Sequence, residues 1–286
     1  MIDHTIYTGT LRTKGENAYL ETANGDKIFE NEKLWTGYIK HWKNTKVNAR
    51  RLSQLDYVDG KPIIIMWPDE PEPLTSFVHI YYNERLVKYF DSTMGHLAIN
   101  INGKIFNFAK KVNENEVITK EEYFYRPALG EFAPSPNTGK QEITVHGKSY
   151  FDKFGRNFMR GIHVIYIEGI DTDKLYKIFK EELDIIHNTL PKPDKPEDYP
   201  DFNAIKRSCT SIVRDGLREY GFKKIKGVLP RDFFVNAAYN FKKEKNLKVK
   251  IYKMPQLIVP ECPWSKATFL FNVKNWFRVK TLKYEN

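Results

Sequence analysis

A short segment in which prolines alternate with acidic residues most restricts how this chain of 286 residues can fold. It runs from Pro68 to Pro73. Proline fixes φ and has no amide donor, so neither a helix nor a central strand continues through this segment. A stiff, extended linker is favoured instead. We therefore expect a first domain at 1–67, a Pro-rich linker at 68–74 and a second domain at 75–286.

The first domain has the order of elements of a small barrel. Turn residues and alternating polarity predict short strands, a helix between the third and fourth strand, and two further strands. The predicted strands cover residues 5–11, 18–21, 27–29, 46–52 and 62–66, and the helix covers about 32–42. This order is that of an OB-like β-barrel.

Such a barrel can bind single-stranded nucleic acid through aromatic and basic side chains. The candidates here are Tyr7, Arg12, Tyr19, Arg50 and Arg51. A structural or docking role is the alternative that we favour, because a fold alone does not specify a function.

Composition and charge exclude several classes of protein. Hydrophobic residues make up 41% of the chain, and the 5 Trp, 19 Phe and 17 Tyr supply enough apolar surface for a sizeable core. The longest apolar runs are far shorter than the roughly 20 residues of a membrane-spanning helix. The N-terminus carries no signal-peptide pattern, so we expect a cytoplasmic protein or one exported by a leaderless route. The net charge of +10 is dispersed along the chain, which favours solubility over a dedicated anion-binding site.

Cys209 lies where a predicted loop becomes a predicted helix. Ser208 is a typical N-cap residue, and Gly221 ends a helix that runs from about Ser208 to Tyr220. The unpaired amides and the dipole of the first turn predict a lowered pKa for the Cys209 thiol and a site for an oxyanion. A buried, inert cysteine is the alternative. Cys262 lacks a helix start, and two cysteines cannot form a disulfide framework.

His96 lies in a hairpin whose register follows from its turn. Asn102-Gly103 is a strong two-residue hairpin signal. It pairs Ala98 with Asn107 and places His96 and Asn107 on one face as diagonal neighbours. Asn107 could therefore hold the ring of a histidine base. The small Ala98 favours a helix packed on this face, whereas a solvent-facing hairpin with ordinary polar residues is the alternative.

The order of these segments resembles that of a known enzyme family. The segments are Gly95-His96-Leu97-Ala98-Ile99, Phe106-Asn107-Phe108, Gly155-Arg156-Asn157-Phe158 and Ser208-Cys209-Thr210-Ser211-Ile212-Val213-Arg214-Asp215. Over residues 75–235 the chain resembles the circularly permuted papain-like (NlpC/P60-type) cysteine hydrolases of bacteria, and more specifically their DUF4105-type branch. In these relatives the histidine also precedes the cysteine. One departure is Ser208, where the family usually has Asn.

This resemblance implies a papain-like core in which Cys209 is the nucleophile, His96 the general base and Asn107 the third polar residue. The implied function is a thiol-dependent hydrolase or acyltransferase that acts on a peptide, amide or acyl-ester bond. The expected fold class is α+β, with an N-terminal OB-like β-barrel followed by a permuted papain-like domain.

Other residues have weaker assignments. Arg214 and Arg218, one turn apart on the Cys209 helix, are candidates for binding an anionic substrate group, together with Ser208. We expect no metal and no nucleotide cofactor, because the histidines lack ligand spacing and glycine-rich phosphate loops are missing. The alternative function is a non-catalytic protein whose OB-like domain and basic surface bind nucleic acid or anionic lipid. A toxin or effector that is exported without a leader is a third hypothesis.

Overall fold

The computed structural model describes residues 4–15, 17–55, 60–70, 75–86, 93–110, 112–127, 160–196, 198–259 and 264–285. The chain divides into two compact units. The described residues of the first unit lie within Met1–Glu72, Lys120–Met159 and Leu257–Pro263, and those of the second lie within Pro73–Thr119, Arg160–Gln256 and Trp264–Asn286. Both units contain antiparallel sheets, and the described residues form a mixed α+β structure.

The first unit is built on one five-stranded antiparallel sheet. Its strands are β1 (Tyr7–Lys14), β2 (Asn17–Glu21), β3 (Lys27–Ile28), β4 (Lys46–Leu55) and β5 (Pro62–Pro68), and its helices are α1 (Thr36–Trp42) and α2 (Lys120–Tyr125). The strand order is β3-β2-β1-β4-β5. The predicted five strands with one helix after the third are confirmed. The predicted OB-like β-barrel is not formed by the described residues, because their sheet does not close: β3, with only two residues, does not pair with β5.

The helix α2 belongs to the first unit although it follows the proline-rich segment by about fifty residues. It packs on β5, whose residues from Ile63 to Met66 are all buried. The Tyr38 hydroxyl donates to the Tyr125 carbonyl, and Trp42 contacts the Tyr125 ring edge to face at 5.5 Å. The first unit is therefore discontinuous in sequence, which differs from the predicted division at 68–74.

The second unit is built on a six-stranded antiparallel sheet. Its strands are β6 (Val78–Asn83), β8 (His96–Ile101), β9 (Lys104–Asn107), β10 (Glu116–Ile118), β11 (Ile162–Glu168) and β12 (Lys248–Met254), in the order β10-β9-β8-β6-β11-β12. A separate two-stranded ribbon pairs β7 (Arg85–Leu86) with β13 (Ser265–Lys266). The helices are α3 (Thr172–Asn188), α4 (Cys209–Tyr220), α5 (Pro230–Phe241) and α6 (Val273–Thr281). No helix in the described part of the chain has the length and apolar character needed to span a bilayer.

The two faces of the β8–β9 hairpin have different surroundings. The face that carries Leu97, Ile99 and Phe106 packs in one core with α3, α4 and α5, and the Phe106 and Phe179 rings lie 5.8 Å apart. A helix is predicted on the His96 face of the hairpin. None of these three helices is that helix, because the hairpin residues in their core lie on the opposite face. Large apolar side chains on that side offer more surface to bury than Ala98 does.

Candidate active site

The start of α4 is fixed by a reciprocal pair of hydrogen bonds. The Ser208 hydroxyl accepts from the Ser211 amide, and the Ser211 hydroxyl accepts from the Ser208 amide at 2.6 Å. Both side chains are buried. This capping box satisfies donors that the first turn leaves unpaired, and it places Cys209 at the first helical position, as the sequence predicts. Because the Ser208 hydroxyl is used in the cap, its substrate-binding role stays a prediction.

The predicted register of the His96 hairpin is confirmed. Ala98 pairs with Asn107, and Ile101 pairs with Lys104 across the Asn102-Gly103 turn. The two residues that the sequence places as diagonal neighbours are in contact, with His96 Nε2 and Asn107 Oδ1 2.6 Å apart.

A backbone carbonyl determines which way the Asn107 amide points. The Asn107 Nδ2 group donates to the carbonyl oxygen of Glu114 at 2.7 Å. A carbonyl can only accept, so Nδ2 must face Glu114 and Oδ1 must face His96. Oδ1 in turn can only accept, which requires His96 Nε2 to carry a proton. In the neutral ring, Nδ1 is then the unprotonated nitrogen, as a general base requires.

The loop that carries Glu114 is itself held at two points. The Asn115 side chain accepts from the amide of Ala109 and donates to its carbonyl, each at 3.0 Å. His187, near the end of α3, contacts the Asn115 carbonyl oxygen through Nε2 at 2.6 Å. Neither Asn115 nor His187 is predictable from the sequence as part of the site, because neither residue lies in a motif or beside the hairpin turn.

Cys209 is half-buried and packs against the core of the second unit. Its sulfur lies 3.9 Å from the Thr210 hydroxyl oxygen, and the Leu97 backbone, directly after His96, is near enough to act on the pKa of the thiol. Burial of the thiol raises the pKa of Cys209, although the Leu97 and Thr210 hydrogen bonds and the Arg160 charge act to lower it. The predicted lowering of the thiol pKa is therefore wrong, because the effect of desolvation outweighs that of the amides at the helix start.

Arg160 was not a sequence candidate. It is buried two residues before the start of β11, and its charge acts on the Cys209 thiol. The segment that the resemblance assigned as the Gly-Arg element, Gly155-Arg156-Asn157-Phe158, lies outside the described residues, as does Cys262.

The two arginines that the sequence predicts to bind a substrate anion both contact the Asp215 carboxylate on α4. The Arg214 guanidinium forms two hydrogen bonds of 2.8 Å with the Asp215 carboxylate and a third, of 3.1 Å, with the Gly227 carbonyl. Arg218 lies 3.9 Å from the same carboxylate. Asp215 thus offsets the charge near both arginines, and their role in binding a substrate anion stays a prediction.

The basic candidates of the first unit are also paired with carboxylates. Arg12 contacts Glu21 at 2.9 Å, Arg50 contacts Glu121 at 3.0 Å and Glu122 at 2.5 Å, and Arg51 contacts Glu32. The aromatic candidates are engaged as well, since Tyr7 packs on Phe29 and Tyr19 lies under the Lys27 ammonium. These contacts give little support to nucleic-acid binding by this sheet.

In the described ranges, no three His, Cys, Asp or Glu side chains are grouped as metal ligands would be. His79 bonds to the Tyr81 hydroxyl and His163 to Glu84 and Tyr284. These histidines therefore have partners within the fold.

The chain matches no family model, no curated protein and no solved structure. The resemblance to the permuted papain-like hydrolases therefore rests on the motif residues and stays a prediction. What the site offers by itself is an oriented histidine, its amide partner, and a thiol at a helix start beside the strand that carries the histidine.

Proposed function

We propose that this protein is a thiol-dependent hydrolase or acyltransferase with Cys209 as nucleophile and His96 as general base. The observation that carries the proposal is the 2.6 Å hydrogen bond between His96 Nε2 and Asn107 Oδ1, with the amide oriented by Glu114. These two hydrogen bonds determine which nitrogen of the ring is protonated, a role that the third residue plays in known Cys-His-Asn sites.

The position of the cysteine is the second support. The Leu97 backbone, one residue from His96 along β8, is near enough to the Cys209 sulfur to act on the pKa of the thiol. The amides at the start of α4 lie beside the same sulfur and are oriented by the capping box. They could hold the negative oxygen that forms when the sulfur attacks a carbonyl.

The chemistry follows from the raised thiol pKa. At neutral pH Cys209 is a thiol, so His96 Nδ1 must take its proton as the sulfur bonds to the carbonyl carbon and the C=O π electrons move to oxygen. The C–N or C–O bond then breaks, and His96 returns the proton to the leaving group. Water or another acceptor, deprotonated by His96, attacks the acyl-enzyme and releases the thiol. The substrate class is an amide, peptide or ester of a carboxylic acid.

The fold that fits this function is a permuted papain-like core for the second unit. Support comes from a helix with an N-terminal cysteine that packs on a sheet strand beginning with histidine. For the first unit we propose an OB-like connectivity, supported by the strand order β3-β2-β1-β4-β5 and by a helix between β3 and β4.

A thiol-reactive acyl probe tests the function. We expect stoichiometric labelling of the wild type at Cys209, loss of labelling in Cys209→Ala, and unchanged labelling in the matched control Cys262→Ala. His96→Ala should slow acylation by about a hundredfold, the usual contribution of a general base. Labelling that persists in Cys209→Ala, or that follows Cys262 instead, would refute the assignment.

A further inference from the structure

The C-terminal part of the second unit exposes a group of large apolar side chains. We name this group the aromatic C-terminal surface, and its members are Trp264, Phe269, Phe271, Val273, Trp276 and Phe277. Phe269 is 78% exposed and Phe277 is 67% exposed. Single exposed apolar residues are ordinary, whereas several within one short segment mark a surface that binds something.

The helix α6 within this surface turns most of its large apolar side chains outward. Its inward side carries Val279, which packs against the core, and Asn275, which is buried and donates to the backbone and side-chain oxygens of Asp232 at 2.9 Å each. Its outward residues include Val273, Trp276 and Phe277, all more than half exposed. A helix that only covers a core turns its apolar stripe inward. Here the stripe faces outward.

The loop before α6 holds the aromatic rings in place. The buried Asp232 carboxylate accepts from the backbone amides of Phe271 and Asn272, at 2.8 and 3.1 Å. The Thr268 amide donates to the Tyr82 hydroxyl at 2.9 Å. Because buried polar groups fix this backbone, the exposed rings are displayed by a defined structure rather than by a chain end that lacks contacts.

The same segment is strongly basic. Between residues 264 and 284 there are five basic residues and no Asp or Glu, the basic residues being Lys266, Lys274, Arg278, Lys280 and Lys283. Lys274 and Lys280 flank the apolar stripe of α6 and are exposed. Among the described residues, neither ammonium forms an ion pair with a carboxylate.

We infer that the aromatic C-terminal surface docks on an anionic lipid membrane. An apolar stripe rich in Trp and Phe, flanked by lysines, has the composition of helices that lie in a membrane interface, with rings among the acyl chains and ammonium groups at the phosphates. A symmetric dimer through this surface would bring the unpaired lysines of two copies together, and like charges oppose that contact. The inference is independent of the proposed thiol chemistry.

Cosedimentation of the full chain with vesicles tests the inference. We expect binding to phosphatidylcholine vesicles that contain about one third phosphatidylserine, and weaker binding to phosphatidylcholine alone, with the difference reduced by salt. The double variant Trp276→Ser/Phe277→Ser should lower the bound fraction about tenfold through lost apolar burial. Lys274→Glu/Lys280→Glu should lower it at least about tenfold on anionic vesicles.

Matched controls come from exposed residues elsewhere in the second unit. Ile185→Ser/Leu190→Ser removes two exposed apolar side chains, and Lys223→Glu/Lys224→Glu reverses two exposed charges. Both controls should bind vesicles as the wild type does, and thermal melting should be unchanged in all variants.

Several outcomes would overturn the inference. They are the absence of vesicle binding by the wild type at low salt, equal losses in the controls, conversion of a dimer into a monomer by the aromatic variant, and binding to oligo(dT) in place of vesicles. Cys209→Ala should bind vesicles normally, so failure of the thiol assignment and failure of membrane docking give different results.

Discussion

The Asn107 side chain lies between a backbone carbonyl and a histidine ring, and its orientation determines which ring nitrogen carries the proton. Glu114 can offer only an acceptor, and the amide between it and His96 has no other consistent orientation. The Asn102-Gly103 turn made the contact between His96 and Asn107 predictable. The partner that orients the amide was not predictable, because Glu114 supplies a backbone atom, and residue identity carries no signal for it.

Replacement of Asn107 tests whether it orients the His96 ring. Asn107→Ala should lower the rate of Cys209 acylation by roughly ten- to a hundredfold, because the ring loses the acceptor that selects the Nε2–H tautomer. Asn107→Asp keeps an acceptor for Nε2 and should retain more activity, although its second oxygen faces the Glu114 carbonyl. Stopped-flow acylation and thermal melting separate an effect on chemistry from one on folding. Wild-type rates in Asn107→Ala would exclude the orienting role.

The Cys209 thiol allows a prediction about pH. Because burial raises the pKa of Cys209 above the ordinary thiol value, the folded protein keeps the proton at neutral pH and loses it only in more alkaline solution. Alkylation by iodoacetamide should therefore rise with pH without a plateau near neutrality. Arg160→Met removes a charge that favours the thiolate, so the rise should shift to higher pH, and Arg160→Lys should shift it less. A plateau at or below neutral pH in the wild type would contradict the raised pKa.

At the scale of elements, local signals predicted α4 and the β8–β9 hairpin closely. Ser208 and Gly221 delimit α4 as expected, and Gly221 adopts φ 141°, which favours glycine. The side of the sheet on which helices pack was not predictable, because it depends on the match between surfaces far apart in sequence. The predicted pKa of the Cys209 thiol was wrong for the same reason, because a position at a helix start contains no information about what covers the first turn.

The cap of α4 can be tested separately from catalysis. Ser208→Ala should lower the free energy of unfolding by about 1 kcal/mol, because the first turn loses an acceptor for the Ser211 amide. Ser208→Asn, which restores a good N-cap, should be close to wild type. Urea unfolding measures both. If Ser208→Ala instead weakened substrate binding with no loss of stability, the predicted substrate role would be favoured over the cap.

A buried carboxylate joins the strand ends near the site. Glu84, after β6, accepts from His163 of β11 at 3.0 Å and from Lys253 of β12 and Ser265 of β13 at 2.8 Å each. Burial alone would raise the pKa of Glu84, but these donors outweigh it and lower the pKa to about 2. Since the folded pKa lies below the ordinary value of 4.5, the ionised carboxylate stabilises the fold above that value.

Glu84→Gln should therefore lower the free energy of unfolding at neutral pH by about 3 kcal/mol, the energy equivalent of this pKa difference. The difference from wild type should shrink as the pH falls from about 4.5 toward 2. Urea unfolding at neutral and acid pH measures this. The exposed Glu219→Gln is the matched control and should change stability by less than about 0.5 kcal/mol. An equal deficit at all pH values would show that packing, not charge, is responsible.

At the scale of the whole molecule, the proline-rich segment predicts only part of the division between the units. It marks the place where the first stretch of the first unit ends, close to Glu72. It carries no information about α2, which returns to β5 from beyond β10 and contributes the buried side chains of Tyr123, Phe124 and Tyr125. Arg50 adds ion pairs to Glu121 and Glu122 on the same helix.

A fragment of residues 1–74 tests whether the first unit is complete without α2. Loss of three buried aromatic side chains would cost several kcal/mol, on the order of 3–5 for each one truncated, which is comparable to the whole stability of a domain of this size. We therefore expect the fragment to lack a cooperative thermal transition by circular dichroism. Residues 1–74 joined to 119–127 by a flexible Gly/Ser linker should regain one, and Arg50→Met in the fusion should weaken it. If the short fragment instead melts cooperatively at the temperature of the fusion, α2 is an accessory to a domain that the proline-rich segment delimits correctly.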